Sequence, residues 1–247
     1  MSLTDLEEQQ AALAGVQLSD FRSANLFRLV AERIPKGSSV LDVGCGAGGL
    51  VGSLLEAGYD ARGIDTSDAT VATARAFLSS LGHDPSRLSV AETSDLITAG
   101  ELADVVACMD CLEHVADDQR LFDDLVALVR PGGRLVVTVP AMMSLYGERD
   151  RRIGHYRRYA REQLAALAAN APVEVEELRY WNFLGVAPTY LSQRIFNRNV
   201  NEGFRYGPAS LGARAMRSLL DVWFRQVENR MVPPRGLTLI LTASRVA

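Results

Sequence analysis

No run of apolar residues in this chain reaches the roughly 18 needed to cross a bilayer as a helix. The 247-residue sequence also holds no internal repeat and no low-complexity stretch. A basic excess is missing too. The formal net charge of −4 gives no general attraction to nucleic acid, and any such partner would have to find a local basic surface. Cysteine is scarce: Cys45, Cys108 and Cys111 form an odd set in a chain whose start does not read as a signal peptide, which suits a reducing compartment. Cys108 and Cys111 make a lone C-x-x-C with no second pair to complete a zinc site. These absences lead to the expectation of a soluble, cytoplasmic protein with no metal and no nucleic-acid partner.

What is present is ordinary globular composition, with 48% hydrophobic residues, enough to fill the core of one α/β unit plus an insertion. The most informative stretch is Val40–Leu50, VLDVGCGAGGL. Val40, Leu41 and Val43 suit a buried parallel strand, and the glycines that follow turn the chain into a helix while letting backbone approach a ligand closely. Gly44, Gly46 and Gly49 satisfy G-x-G-x-x-G, with Asp65 at about the ~20-residue spacing that places an acid on a ribose, so a dinucleotide is one candidate ligand. Asp42 argues for another. A carboxylate two residues before the first glycine repels a pyrophosphate but suits a ligand carrying an ammonium and a sulfonium, as S-adenosylmethionine does.

From Val40 onward strands and helices alternate. Strands are read to Val43, over Tyr59–Ile64, Leu88–Ala91, Asp104–Met109 and Arg134–Val139; helices are read over Gly49–Ala57, Ser67–Leu81 and Asp117–Val129. Two helices precede them, Thr4–Gln17 and Asp20–Ile34, the second capped by Asp20. A helix over Arg161–Ala169 and strands over Val173–Tyr180 and Leu237–Val246 complete the pattern. The reading is a doubly wound, mostly parallel seven-stranded sheet with ligands at the carboxyl ends of the strands. Residues 1–36 form N-terminal helices, 37–180 the core, 181–235 a helical insertion and 236–247 the last strand, all in one domain.

The string D-x-G-x-G-x-G, with Gly63-Ile64-Asp65 after it, closely resembles the cofactor motifs of class I S-adenosylmethionine-dependent methyltransferases. The run DVVACMDCLEHV and Arg130-Pro131-Gly132-Gly133 resemble the ubiquinone-biosynthesis type of small-molecule O-methyltransferase. The resemblance implies a Rossmann-like methyltransferase fold and S-adenosyl-L-methionine as cofactor. Asp42, Gly44, Gly46, Gly48, Asp65, Thr66, Glu92, Thr93, Met109 and His114 would hold it, with Asp65 on the ribose and Glu92 and Thr93 near the adenine. Asp110 resembles the metal ligand of catechol-type methyltransferases, but no partner carboxylate pair follows it. The Asn/Asp-Pro-Pro-Tyr motif of many amide and nucleobase N-methyltransferases is absent.

Ala141–Ala160 is a long connection with little periodicity, and such loops are commonly functional. Its P-A-x-x-x-L-Y-G-x-x-D and G-H-Y-R-R-Y strings resemble a bacterial subgroup often encoded near lipid- and sugar-building enzymes. Here His155 is the first candidate for a general base, followed by His114 and Glu113. Tyr146, Tyr156, Arg157, Arg158 and Trp181 are candidates to hold the acceptor. The loop arginines either hold an anionic group or are solvated or paired with Glu148 and Asp150. The basic, aromatic insertion reads as a lid, an oligomer contact or a membrane-surface patch, and the protein as a monomer or homodimer.

The expected function is methyl transfer to a small, anionic or lipid-linked acceptor, most simply to a hydroxyl or carboxylate oxygen. The alternatives are N- or C-methylation, a non-methylating cyclase or scaffold of the same fold, and a nicotinamide oxidoreductase, which Asp42 disfavours.

Overall fold

The structure, a computed structural model, describes residues 17, 18, 20–194 and 210–246. Most of the first expected helix, and Phe196, Arg198, Phe204, Arg205 and Tyr206 of the insertion, lie outside the described residues.

Helix α1, Phe21–Ala31, begins where the Asp20 carboxylate accepts the Ser23 N–H at 2.9 Å. Strand and helix then alternate through β1 (Ser39–Val43), α2 (Gly49–Glu56), β2 (Asp60–Asp65), α3 (Asp68–Ser80), β3 (Leu88–Val90), α4 (Thr93–Thr98), β4 (Ala103–Met109), α5 (Asp118–Leu128) and β5 (Val129–Pro140). The chain continues through α6 (Glu148–Arg152), α7 (Arg161–Ala169), β6 (Val173–Trp181), α8 (Val186–Arg194), α9 (Leu211–Trp223) and β7 (Thr238–Arg245). The seven strands lie in the order β3-β2-β1-β4-β5-β7-β6. Among these strands β7 runs opposite to the other six and pairs antiparallel with β5 and β6.

Neighbouring residues of the central strands enter different cores, the reason these strands read as unbroken apolar runs. Leu41, Val106, Leu135 and Val137 pack on one face against Phe122, Leu125 and Leu128 of α5. Val40, Val105 and Val136 pack on the other against Val30 of α1, Leu50, Val51 and Leu54 of α2, and Phe77 and Leu78 of α3. A third cluster, Leu26, Leu29, Trp181, Phe224 and Ile240, ties α1 to the ends of β6 and β7.

Three departures from the sequence reading matter for the site. Strand β5 starts at Val129, which pairs with Ala103 across an irregularity, so the Arg-Pro-Gly-Gly segment is carried within it. Residues 93–98 form the unforeseen helix α4, started by reciprocal bonds between Glu92 and Asp95. The long connection after β5 is built rather than irregular. It holds a turn at Met143–Leu145, helix α6 and a parallel bridge from Ala141 to Tyr159.

Candidate active site

The turn from β1 into α2 needs three positive φ angles, +71° at Gly44, +51° at Gly46 and +78° at Gly48. A Cβ on Gly44 would stand 2.3 Å from the Cys111 sulfur, so this loop and the end of β4 are packed with no side chain between them. Asp65, at the end of β2, ties the turn down. One carboxylate oxygen accepts the Gly46 N–H at 3.1 Å and the other the Ser67 N–H at 3.0 Å. Each oxygen keeps a second lone pair, which suits a pair of ribose hydroxyls.

Asp42 lies beneath this loop, 3% exposed, and its Oδ1 has no hydrogen-bond partner among the described residues. Burial, reinforced by the charge of Asp65, raises its carboxyl to about 8. An unpartnered buried carboxylate is costly until a cation meets it. That is the fit expected for the amino group of S-adenosylmethionine. Thr66 is exposed on the turn that follows Asp65. Glu92 and Thr93 line a surface hollow of about 320 Å³ with Val115 and Leu121, and the Thr93 hydroxyl donates to Asp124 at 2.8 Å. Met109 is half-buried against the second and third cores.

Past β4, Asp110 adopts a left-handed φ of +52°, fixed by its N–H to Thr138 O at 2.9 Å. The turn Leu112–His114 then directs Glu113 inward and brings His114 against the loop that follows β5. Glu113 has no exposed surface, and neither carboxylate oxygen has a hydrogen-bond partner among the described residues. Burial, then the charge of Asp110, raises its carboxyl well above the usual range.

His155 arrives from the other side. The Tyr156 N–H donates to Glu113 O at 2.7 Å, which ties the two loops together, and the Tyr146 hydroxyl donates to His155 O at 2.7 Å within the loop after β5. The rings of His114 and His155 meet edge to face with centroids 4.6 Å apart. Burial, then the neighbouring His155, lowers His114 to about 4. His155 Nδ1 lies 3.2 Å from Asp150 Oδ1, and its Nε2 lies 3.8 Å from Glu113 Oε1. One ligand atom from each of Glu113, His114 and His155 falls within 4.8 Å of the others, a set able to take a cation where the expectation from the sequence is no metal.

Several expected acceptor contacts are placed elsewhere. Arg158 is 7% exposed and bonds Asp150 through Nε at 2.9 Å and Nη2 at 2.8 Å. Arg157 pairs with Asp118 at 2.6 Å and donates to Ala116 O. Arg158 is engaged by Asp150, one of the two partners that the pairing alternative names, whereas Arg157 is engaged by Asp118, which that alternative did not include. Trp181 has no exposed surface; it packs on Phe224 and donates its indole N–H to Asn229 at 2.9 Å, so it is core and lines no site. Tyr146 is half-buried under the Arg151 guanidinium, and Tyr156 is 59% exposed at the rim.

The sequence reading named Asp150 only as a possible partner of the loop arginines and gave it no part in orienting His155. Burial opposes ionisation of Asp150, but the His155 contact and the Arg158 guanidinium outweigh it and hold its carboxyl at about 2. The only sequence signal for this was the five-residue spacing from Asp150 to His155 in a charge-rich loop, which by itself reads as solvated helix.

The chain matches a family model described as a methyltransferase domain over residues 17–178. A ubiquinone biosynthesis O-methyltransferase of Cupriavidus pinatubonensis is 31% identical over 189 residues, 68% of this chain and 73% of that one. Another from Coxiella burnetii is 34% identical over 105 residues, 40% of this chain and 42% of its own, so this match spans less than half of that relative. The [4+2]-cyclase SpnF superposes with a TM-score of 0.57 at 22% identity, covering 92% of this chain and 83% of its own. Geranyl diphosphate C-methyltransferase of Streptomyces coelicolor, crystallised with Mg2+, geranyl diphosphate and S-adenosyl-L-homocysteine, gives 0.60 at 14% identity over 90% and 79%. At those identities the two structures show a shared fold. With a family match over most of its length and the sheet order described above, the chain belongs to the methyltransferase-domain family and is a class I S-adenosylmethionine-dependent methyltransferase similar to the ubiquinone-biosynthesis type.

Proposed function

We propose that this enzyme methylates a hydroxyl oxygen of a small-molecule acceptor, with His155 as general base. The observation that carries the reading is the contact of His155 Nδ1 with the ionised carboxylate of Asp150. An acceptor on Nδ1 keeps the proton on that nitrogen and leaves the Nε2 lone pair free to take one, on the side shared with Glu113 and His114. Oxygen as the methylated atom is supported by the relatives, which are named as O-methyltransferases.

When bound, S-adenosylmethionine supplies a methyl group already activated by its sulfonium. The chain's residues then have three tasks: Asp42 and Asp65 hold the cofactor, the two loops exclude water, and His155 Nε2 removes the proton from the acceptor hydroxyl. The described parts of the insertion, residues 181–194 and 210–235, are assigned as the cover of the acceptor site, because they leave β6 and enter β7 at the carboxyl end of the parallel strands.

Mass spectrometry on a panel of phenols and catechols incubated with the enzyme and cofactor tests the reaction. Gain of one methyl on oxygen supports it; binding of S-adenosylhomocysteine with no methyl gain on any acceptor favours the non-methylating reading of the fold. A second reading rests on the clustering of Glu113, His114 and His155. A divalent cation there would acidify the acceptor hydroxyl in place of a base. Turnover abolished by a chelator and restored by added cation selects that reading, and turnover insensitive to chelation selects the base.

A further inference from the structure

We propose that the solvent-facing side of α9 docks the enzyme on an anionic lipid bilayer. A helix on a soluble protein ordinarily turns its apolar stripe toward the core. Helix α9 does the reverse. None of its residues is buried, while Leu211 is 85% exposed, Leu219 62%, Val222 51%, Met216 48% and Trp223 37%. At 100° per residue these five fall within one arc of the helix. Its acid looks inward instead, with Asp221 accepting the Asn25 side-chain N–H of α1 at 2.7 Å.

The helix is held in this attitude from its C-terminal end. Phe224 is buried against Phe21 and Trp181. Glu228, with no exposed surface, accepts the Phe183 N–H at 2.6 Å and the Trp223 indole N–H at 3.3 Å. The exposed face is thus fixed by specific contacts.

Charge selects the occupant. Arg214 and Arg230 are exposed in this stretch and are not matched by its acids: Asp221 is spent on Asn25 and on Arg225, and Glu228 lies in the interior. A chain of net charge −4 therefore presents, on the described residues of this stretch, an apolar helix face with arginines and no exposed carboxylate. An apolar face with a tryptophan and an arginine border is the pattern of a helix lying in the plane of a bilayer interface containing anionic lipid. A second copy of this chain would bring its own arginines to the same border, and like charges would then oppose each other.

The docking surface is independent of the methyl-transfer reading, and it adds that acceptors held in a bilayer are presented to the carboxyl end of the sheet, where the insertion emerges. The test is cosedimentation of the full chain with phosphatidylcholine vesicles, with and without phosphatidylglycerol. The wild type is expected to pellet with the phosphatidylglycerol vesicles, and Trp223 fluorescence to shift to the blue while the fully buried Trp181 does not change. Leu219→Glu is expected to weaken vesicle binding roughly tenfold or more, Arg214→Glu to weaken it in a salt-dependent way, and both to keep wild-type affinity for S-adenosylhomocysteine. Wild-type protein that stays in the supernatant with phosphatidylglycerol vesicles overturns the proposal, as does Leu219→Glu pelleting like the wild type. A dimer in sedimentation velocity that Leu219→Glu dissolves, without vesicle binding by the wild type, reassigns the face to a second copy.

Discussion

Asp42 carries a consequence that can be measured without knowing the acceptor. Its carboxyl is raised from 3.8 to about 8, so at pH 7 the free protein holds a proton there that the unfolded chain does not. Between those values the folded state binds more protons than the unfolded one, and stability falls as pH rises through the window. A bound ammonium favours the ionised carboxylate. Calorimetry of S-adenosylhomocysteine binding at pH 7, in buffers of different ionisation heat, should therefore show about one proton released per site, and none in Asp42→Asn. Equal proton release in the two proteins would remove Asp42 from the cofactor site. Asp150 has the opposite sign. Its carboxyl is depressed to about 2, so the stability it contributes is present above 3.8 and lost as pH falls toward 2. Asp150→Ala leaves Arg158 buried without its counter-charge and should cost about 3–5 kcal/mol in denaturant unfolding. Asp150→Asn keeps much of the packing, and its expected effect is on His155: nitrogen NMR should show the ring's proton no longer confined to Nδ1, with turnover down by about 10²–10⁴. An unchanged tautomer with normal turnover would leave Asp150 a purely structural partner of Arg158.

Among the elements, the β1–α2 turn depends most on its residue types. Gly44→Ala would place a Cβ 2.3 Å from the Cys111 sulfur at a φ of +71°. The expected cost is about 1–3 kcal/mol in thermal or chemical unfolding, with loss of S-adenosylhomocysteine binding. Wild-type stability in that variant would contradict the close packing of this turn against the end of β4. The same turn was readable in the sequence, because glycine, strand and acid positions there answer to local backbone geometry. So were the starts of α1 and α3, where Asp20 and Ser67 cap in place. Helix α4 and the loop after β5 were not. Thr93 bonds Asp124 of α5, Tyr159 bonds Asp118, and Arg157 reaches back to the same Asp118. Such pairs are made by tertiary approach, which no periodicity records. Trp181 and Arg157 show the cost of that blindness: chemistry that suits an acceptor site is spent in one case on a core and in the other on an acid of a distant helix.

For the molecule as a whole, the alternation of apolar runs and amphipathic helices sufficed to read a parallel sheet covered on both faces, since neighbouring strand residues must all be apolar when both faces are buried. Leu41, fully buried at the centre of that sheet, illustrates the energetic scale, and Leu41→Ala should cost about 2–5 kcal/mol. The orientation of α9 was beyond the sequence, because an amphipathic pattern reveals that a helix has an apolar face and leaves open what meets it. None of the helices among the described residues is long and apolar enough to cross a membrane. The catalytic assignment rests on one juxtaposition made by the whole fold: β4 delivers Glu113 and His114, the loop after β5 delivers Asp150 and His155, and the glycine turn after β1 packs on the end of β4 beside them. The most direct test is the turnover of His155→Ala on an acceptor hydroxyl that the wild type methylates, measured with the affinity for S-adenosylhomocysteine. The account predicts turnover lower by about 10²–10⁴ with cofactor affinity unchanged. Wild-type turnover in His155→Ala would contradict it, and a raised Michaelis constant with turnover unchanged would leave His155 as a positioning group only.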